Sequence, residues 1–357
     1  MIAAAVLLFL ITLCFRKDVA YYSVKFTPVQ NLRSYLLGIR LLFADIFHTG
    51  TAVRSNELIA QIGTDLYGGA FGRLKLSVMT FTAGAALAIA GALFQSAYKN
   101  PMASPNILGV TAGVNIGNIV MLLVYGTAAL QFVYVRYQYC YAFTAACVII
   151  VLLLGKAAGN KRDSVSIMEM VMVGSIVSQL VNAFVTYYMY TMEDEELAIY
   201  EQISLGAVMN VDKVSFILFI SVMAVSILPV LFFRYRLNVL SLGMEEAKVL
   251  GVRQGPWRIV AQVCGVLMST AAMIHCGQVG MITMVVPYIV RDIYGSDFRK
   301  LCAFSALIGG ALVMTCQFIA SFFMINDVVL PATFVVNLVT MPAFMIMLAR
   351  RRQGNAA

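Results

Sequence analysis

The chain of 357 residues is 61% hydrophobic and only 12% charged, and its mean hydropathy is +0.87. Soluble domains average about 45–50% apolar and about 25% charged residues, so this composition excludes an ordinary globular protein, a disordered chain and a disulfide scaffold. The formal net charge is +8, and in a membrane protein the positions of the positive residues carry the information.

Ten apolar segments define the predicted elements. Only helices and closed barrels satisfy every backbone polar group in lipid, and these segments are too long and continuous for barrel strands. We therefore predict an all-α polytopic membrane protein with about ten transmembrane helices. The seventh and eighth segments almost touch at Cys276, so they are either two spans or one broken hairpin. In chain order the segments are residues 2–15, 76–97, 107–125, 139–154, 167–190, 214–233, 257–275, 279–294, 301–325 and 331–348.

These segments divide the chain into four predicted parts. Residues 1–15 form a first transmembrane helix; a signal peptide is the alternative, but no basic residues precede the apolar run and no small-residue cleavage site follows it. Residues 16–75 form a long extracytoplasmic segment. Residues 76–350 form a nine-helix core, and 351–357 form a cytoplasmic tail.

Lysine and arginine positions predict the orientation. With a cytoplasmic N-terminus, the inner loops and the C-terminus hold fifteen basic residues, whereas the short outer loops hold only Arg136 and Lys213. Positive residues are enriched on the cytoplasmic side of membrane proteins, so both termini are predicted to be cytoplasmic. The fifteen are Lys99, Lys156, Lys161, Arg162, Arg234, Arg236, Lys248, Arg253, Arg258, Arg291, Arg299, Lys300, Arg350, Arg351 and Arg352.

The residues that catalysis or metal binding would need are scarce. The sequence contains no G-x-x-x-x-G-K-[ST] phosphate-binding loop, and its two histidines are His48 and His275, which disfavours a histidine metal site or a catalytic triad. The seven cysteines lack C-x-x-C spacing and indicate small buried apolar residues rather than a metal or redox site. We expect no enzymatic activity, cofactor, metal or nucleic-acid partner.

Acidic residues avoid the interiors of the predicted spans. Glu169, near the inner end of the fifth span, comes closest. Ion-coupled carriers usually keep a carboxylate within the membrane to bind the driving ion. A transport function would therefore draw its energy from another subunit.

Three segments carry the candidate functional residues. Asn100, Pro101, Pro105 and Gly109 bound a turn before the third span, where prolines prevent a continuous helix and asparagines can bond the freed backbone and cap the next helix. Residues 244–250 form a short amphipathic helix outside the bilayer, which either docks into a cytoplasmic partner or lies on lipid headgroups. In the fifth span Ser178, Gln179 and Asn182 either line a wet path or hydrogen-bond between helices.

Two blocks of this sequence resemble the FecCD family, the permease subunits of binding-protein-dependent ABC importers for ferric siderophores, haem and vitamin B12. The first is Gly84–Gln95 followed by Asn100-Pro101-Met102-Ala103-Ser104-Pro105-Asn106-Ile107-Leu108-Gly109. The second is Leu242-Gly243-Met244-Glu245-Glu246-Ala247 with Leu250-Gly251-Val252. The resemblance covers about residues 73–350.

The resemblance implies a ten-helix subunit of the type II importer fold. This subunit pairs with a second permease as a homo- or heterodimer, works with separate ATPase subunits and receives its substrate from an extracytoplasmic binding protein. It places the protein in the inner (plasma) membrane of a bacterium or archaeon. The favoured substrate is a ferric siderophore, with haem or cobalamin as alternatives and a stand-alone channel or receptor as the competing class.

The resemblance also implies roles for individual residues. Arg73, with Lys75, matches the contact to the binding protein, and Ser164 and Ser166 fall where the family narrows its inner gate. The residues implied to contact the ATPase are Ser241, Gly243, Met244, Glu245, Glu246, Ala247, Leu250 and Gly251. The departures from the family pattern, which leave the gate and the substrate open, are Gln278, Thr283, Tyr288 and Phe298.

Overall fold

The computed structural model describes residues 64–131, 133–158, 167–206, 213–240, 247, 254–279, 281–320, 324–325 and 328–354. Over these residues the protein is helical apart from one antiparallel pair of two-residue strands, β1 (Met324–Ile325) and β2 (Val328–Val329). This confirms the all-α prediction. The helices are α1 (Thr64–Tyr98), α2 (Val110–Tyr125), α3 (Val133–Ala158), α4 (Ile167–Thr191), α5 (Asp194–Leu205), α6 (Lys213–Phe232), α7 (Arg234–Val239), α8 (Gln254–Cys276), α9 (Ile282–Tyr294), α10 (Phe298–Ala320) and α11 (Ala332–Gly354).

Seven of the described helices, α1 to α4, α6, α8 and α10, contain a stretch long and apolar enough to cross a membrane. The apolar part of α11, Ala332–Ile346, is shorter, and α9 has 13 residues. Helix α1 has 35 residues and begins well before residue 76, so it extends beyond its apolar span Lys75–Tyr98. The predicted first helix, 1–15, lies outside the described residues.

Helix α1 is the centre of the bundle, where it packs against α8, α9 and α10. Small residues permit this packing: a Cβ added at Gly84 would lie 2.4 Å from Gly309 O, and one added at Gly309 would lie 2.5 Å from the Cβ of Ala88. A Cβ at Gly91 would lie only 1.7 Å from Thr283 O at the start of α9. Because membrane helices associate through close packing, small residues at these crossings are what the fold requires.

Helices α2 and α3 form a second close pair. A Cβ at Gly113 would lie 2.4 Å from Thr144 Cα, and one at Gly117 would lie 2.7 Å from Cys140 Cα. The four-residue spacing of these glycines therefore places one face of α2 directly on the backbone of α3. Helix α4 packs on the turn that precedes α2, since a Cβ at Gly174 would lie 1.9 Å from Ile107 O.

The cysteines of the described chain are free. Cys276 is half-buried, and the other five, Cys140, Cys147, Cys264, Cys302 and Cys316, are buried. This confirms their interpretation as small core residues for the part of the chain that the structure describes.

Candidate functional site

Helix α4 carries an uncharged polar stripe, which we define as Ser175, Gln179, Asn182 and Thr186. Spacings of four, three and four residues place these side chains on one face of a helix, over about 16 Å. All four are exposed in the single chain. The stripe therefore presents four polar side chains on the outside of a described span.

The hydroxyl groups of the stripe form hydrogen bonds within α4, whereas its amide groups do not. Ser175 Oγ donates to Met172 O at 2.7 Å and Thr186 Oγ1 donates to Asn182 O at 2.9 Å, so both hydroxyls bond within α4. The carboxamides of Gln179 and Asn182 have no hydrogen-bond partner among the described residues. Amides facing lipid alone are costly, so this face is expected to meet water or another protein surface.

Ser178 lies away from the stripe. It is half-buried, and a Cβ at Gly109 would lie 3.8 Å from its Oγ. Ser178 thus packs beside the turn before α2, whereas Gln179 and Asn182 face outward. The structure brings together only two of the three polar residues singled out in this span.

The turn between α1 and α2 is held by backbone and side-chain bonds. Asn100 Oδ1 accepts from Met102 N at 2.9 Å, and Asn100 O accepts from Ala103 N at 3.0 Å. A 3-10 turn spans Pro105–Leu108, and Gly109 has a φ of 75°, a left-handed conformation that glycine adopts without strain. Asn106 Oδ1 accepts from the hydroxyl of Thr111 at 2.8 Å rather than from a backbone N–H, so it does not cap α2 in the expected way.

Helix α5 follows α4 and lies between the predicted fifth and sixth spans, where the sequence analysis predicted no helix. Its first turn carries Asp194, Glu195 and Glu196, which is favourable at the positive end of a helix dipole. Gly206 ends the helix with a φ of 74°. Burial raises the pKa of Tyr200, with an opposing smaller effect of a hydrogen bond to Ser204.

Donors from three separate elements bind the last carbonyls of α5. Arg136 Nη2 donates to Ile203 O at 3.2 Å, and the backbone N–H of Gln278 donates to Ser204 O at 3.3 Å. Thr333 Oγ1 in the first turn of α11 donates to Leu205 O at 3.1 Å. The C-terminal end of α5 is thereby fixed to α3, to the α8–α9 turn and to α11.

Arg136 was predicted to lie in an outer loop, but the structure places it within the first turns of α3. Its Nε donates to Asn118 Oδ1 at 3.0 Å, and Cys140 Sγ lies 3.3 Å from the same oxygen. The sequence did not reveal this because Arg136 stands among four tyrosines, and a window that scores only apolar residues begins the span at residue 139. A lone arginine flanked by tyrosines at a span end is the signal that could have found it.

Helices α8 and α9 are separated by a short non-helical turn, in which Gly277 and Val279 are buried. Gly277 has a φ of 72°, and Gln278 Nε2 donates to Asn115 Oδ1 at 2.5 Å. Beside it, the hydroxyl of Tyr137 is hydrogen-bonded to His275 Nε2. Non-helical backbone is tolerated within a membrane only where protein or water satisfies it. Here the backbone N–H of Gly277 donates to Met273 O at 3.0 Å, and that of Gln278 donates to Ser204 O at 3.3 Å.

The other candidate residues are placed as follows. Lys75 is half-buried in α1, and Arg73 lies in the same helix. Ala247 is helical and buried. Thr283 and Phe298 are buried and Tyr288 is half-buried. The candidates that lie outside the described residues are Ser164, Ser166, Ser241, Gly243, Met244, Glu245, Glu246, Leu250 and Gly251.

In the described ranges no group of three or more His, Cys, Asp or Glu residues could hold a metal ion. Carboxylates of the described spans lie at helix ends, as Glu169 does in the first turn of α4.

The sequence pattern of the FecCD transport family matches residues 42–350. This chain belongs to the FecCD transport family. The match includes every helix from α1 to α10 and almost all of α11, so the polar stripe, the α5 contacts and the broken α8–α9 turn are all parts of a FecCD protein. The resemblance inferred from the sequence blocks is confirmed.

Individual relatives differ in their named substrates. The chain is 27% identical to the molybdate import system permease protein MolB of Haemophilus influenzae, over 79% of this chain and 81% of the relative. It is 28% identical to YfiZ of Bacillus subtilis, named as a probable siderophore transport system permease, over 78% of this chain and 81% of the relative. Membership of the FecCD family therefore leaves the substrate of this chain open.

Among solved structures, the chain resembles an inward-facing conformation of an ABC transporter assigned to the metal-chelate type. The TM-score is 0.71 at 19% identity, and the match covers 98% of both chains. At this identity the likeness establishes the fold, which is that of an ABC transporter permease.

Proposed function

We propose that this chain is the membrane-spanning permease subunit of an ATP-driven importer that moves a ferric siderophore delivered by a substrate-binding protein. Membership of the FecCD family supports the transport role, and the relative named for siderophore transport supports the substrate. Haem and cobalamin are the alternative substrates within the same mechanism. Identifying the ligand of the cognate binding protein decides among the three.

The polar stripe of α4 is the observation that carries this proposal. Gln179 and Asn182 present amides on the outside of a single chain, without a hydrogen-bond partner among the residues that the structure describes. A second permease subunit facing this stripe would enclose a polar path between the two chains. A path lined with amides and hydroxyls, without fixed charges, suits a large chelate that must pass without being held tightly.

Replacing both Gln179 and Asn182 with leucine is expected to lower the rate of chelate uptake by reconstituted transporter about thirty-fold, since two lost hydrogen bonds to a passing substrate are together worth about 2 kcal/mol. Uptake of labelled chelate into proteoliposomes measures the effect. Gln202→Leu, at an exposed glutamine of α5, is the matched control and should transport normally. Normal uptake by the double variant would remove the stripe from the path.

Residues 241–251 are proposed to contact the ATPase subunit and to couple ATP hydrolysis to movement of the permease. Ala247, the described residue of this segment, is helical and buried, and the resemblance implies that Ser241, Gly243, Glu245 and Glu246 contact an ATPase subunit. No phosphate-binding loop occurs in this sequence, so ATP hydrolysis is assigned to that separate subunit. On the outer side Arg73 and Lys75 are proposed to pair with carboxylates of the binding protein.

Glu245→Arg is expected to abolish uptake and to reduce the amount of ATPase that co-purifies with the permease, because a reversed charge at a protein contact repels the partner. Glu201→Arg makes the same change on the exposed surface of α5 and should leave ATPase retention intact. If wild-type complexes never retain an ATPase and Glu245→Arg transports normally, the chain is a stand-alone channel or receptor.

A further inference from the structure

Two arginines from different helices flank one exposed tyrosine at the end of the bundle where α6 ends and α10 begins. Arg234 Cζ lies 5.3 Å and Arg299 Cζ 5.1 Å from the centre of the Tyr235 ring. Hydrogen bonds from Arg299 and Arg234 to the Tyr235 hydroxyl lower the pKa of that hydroxyl. We define these three residues as the Arg234–Tyr235–Arg299 cluster.

Helix contacts fix the position of this cluster. Asn238 Oδ1 in α7 accepts from the backbone N–H of Phe298 at 2.8 Å, which ties α7 to the first residue of α10. Asp297 Oδ1 accepts from the backbone N–H of Arg299 at 3.1 Å and thereby caps α10. The fold therefore holds together the helix ends that carry the two arginines.

Positive charge in the cluster exceeds negative charge. Asp297 forms a salt bridge with Arg299 at 3.3 Å, and the Arg299 hydrogen bond lowers the pKa of Asp297, which keeps that carboxylate ionised. Arg234 has no ion-pair partner among the described residues. Arg236 and Lys300, both exposed, add two further cations next to the cluster in sequence. An anion is the ligand that this arrangement attracts.

Exposed apolar side chains lie within a few residues of the cations in the sequence. Phe232, the last residue of the α6 span, is 76% exposed, and Ile293, near the end of α9, is 63% exposed. Arg234 is two residues beyond that span end, and Arg299 is the second residue of the α10 span. Cations at the ends of two apolar helices, with exposed apolar side chains a few residues away, match a ligand with an anionic head and a hydrocarbon tail.

We propose that the Arg234–Tyr235–Arg299 cluster binds the headgroup phosphate of an anionic phospholipid, whose acyl chain lies along Phe232. Arg234 and the free edge of Arg299 donate to the phosphate, and the Tyr235 hydroxyl orients both guanidinium groups. A guanidinium presents several N–H groups in a plane and suits phosphate oxygens. The site goes beyond the proposed transport function and does not depend on what the protein carries.

The chain contains a natural reporter next to this site. Trp257 is its single tryptophan; its ring lies 4.9 Å from the ring of Phe233 and 4.9 Å from Arg236 Cζ. Bromine on a lipid acyl chain quenches tryptophan fluorescence at short range. The purified full chain in phosphatidylcholine nanodiscs would be supplemented with equal small fractions of either brominated phosphatidylglycerol or brominated phosphatidylcholine.

We expect brominated phosphatidylglycerol to quench Trp257 more strongly than brominated phosphatidylcholine. The double variant Arg234→Glu/Arg299→Glu should lose this preference, because each basic residue at an anionic surface contributes about a five-fold local enrichment of anionic lipid. Lys156→Glu, at the exposed end of α3, removes a basic charge elsewhere and should leave the preference unchanged. The fluorescence spectrum before addition of brominated lipid checks that each variant is folded around Trp257.

Equal quenching of the wild-type chain by the two lipids would overturn the proposal, as would an unchanged preference in the double variant. If both occur while the double variant fails to bind the ATPase subunit, the cluster contacts an acidic protein surface instead. Uptake measured in parallel separates this proposal from the transport function, because lipid preference is scored without substrate, ATP or partner.

Discussion

Replacing Gly91 with alanine is expected to destabilise the protein by at least about 3 kcal/mol, the upper part of the range for an overpacked core. The added methyl group would lie 1.7 Å from Thr283 O and 2.6 Å from Thr283 C. These are backbone atoms at the start of α9, so no side-chain rotation relieves the collision. The helices α1 and α9 would have to separate, and the hydrogen bond from Gln95 Nε2 to Met284 O at 3.0 Å would be lost with them.

Thermal unfolding in detergent, followed with a thiol-reactive dye, measures the effect. The buried cysteines of the bundle, such as Cys264, Cys302 and Cys316, become reactive only when the core opens. Gly255→Ala is the matched control, since a Cβ there meets no atom within 4 Å, and alanine favours the helix. A melting temperature of Gly91→Ala equal to that of Gly255→Ala would show that the close contact of α1 with α9 is wrong.

Asn118→Leu is expected to cost about 3 kcal/mol, the lower end of the loss typical of removing one partner of a buried charge, because Arg136 is half-buried. Asn118 Oδ1 accepts from Arg136 Nε at 3.0 Å, and the remaining described bond of that guanidinium is the one to Ile203 O. Leucine would leave a guanidinium that is already costly to bury with a single acceptor. Arg136→Met should cost less, because it removes the buried charge together with its desolvation penalty and keeps the apolar stem.

The double variant Asn118→Leu/Arg136→Met completes the cycle. It should be more stable than Asn118→Leu alone, because the unpaired charge is absent. The same thiol-reactive assay reports all four proteins, with Cys264 and Cys316 remote from the substitutions in sequence. Additive losses in the double variant would mean that Arg136 and Asn118 do not depend on each other.

Sequence alone predicted the spans best where apolar runs are long and uninterrupted. The fifth, sixth and seventh segments were placed at 167–190, 214–233 and 257–275, and the corresponding helices are α4 (Ile167–Thr191), α6 (Lys213–Phe232) and α8 (Gln254–Cys276). The hydrophobic signal decides these cases because lipid admits few alternatives to a helix. The free, mostly buried state of the described cysteines followed from the same signal.

Hydrophobicity did not predict the polar elements of the structure. Helix α5 begins with an acidic turn and ends at Gly206, which is the pattern of a helix start and stop, but its low hydrophobicity hid it beside the membrane spans. The bonds of Arg136 and Gln278 to the end of α5 join residues far apart in the sequence, and no local pattern specifies which carbonyl a buried donor reaches. Of the predicted path residues, Gln179 and Asn182 share the exposed face, whereas Ser178 faces the bundle because one residue along a helix turns a side chain by about 100°.

The glycine crossings of α1 restrict how this protein can change shape. The backbones are in direct contact at Gly84 with Gly309 and at Gly91 with Thr283. No side chains lie between these backbones that could change rotamer when the helices shift. Sliding α1 past α9 or α10 would drive Cβ atoms into carbonyl groups. These three helices are therefore expected to move as one rigid body. A rocking motion would therefore have to occur where helices pack less closely, such as around α4 and α6. Most of the apolar surface of these two spans is exposed in the isolated subunit.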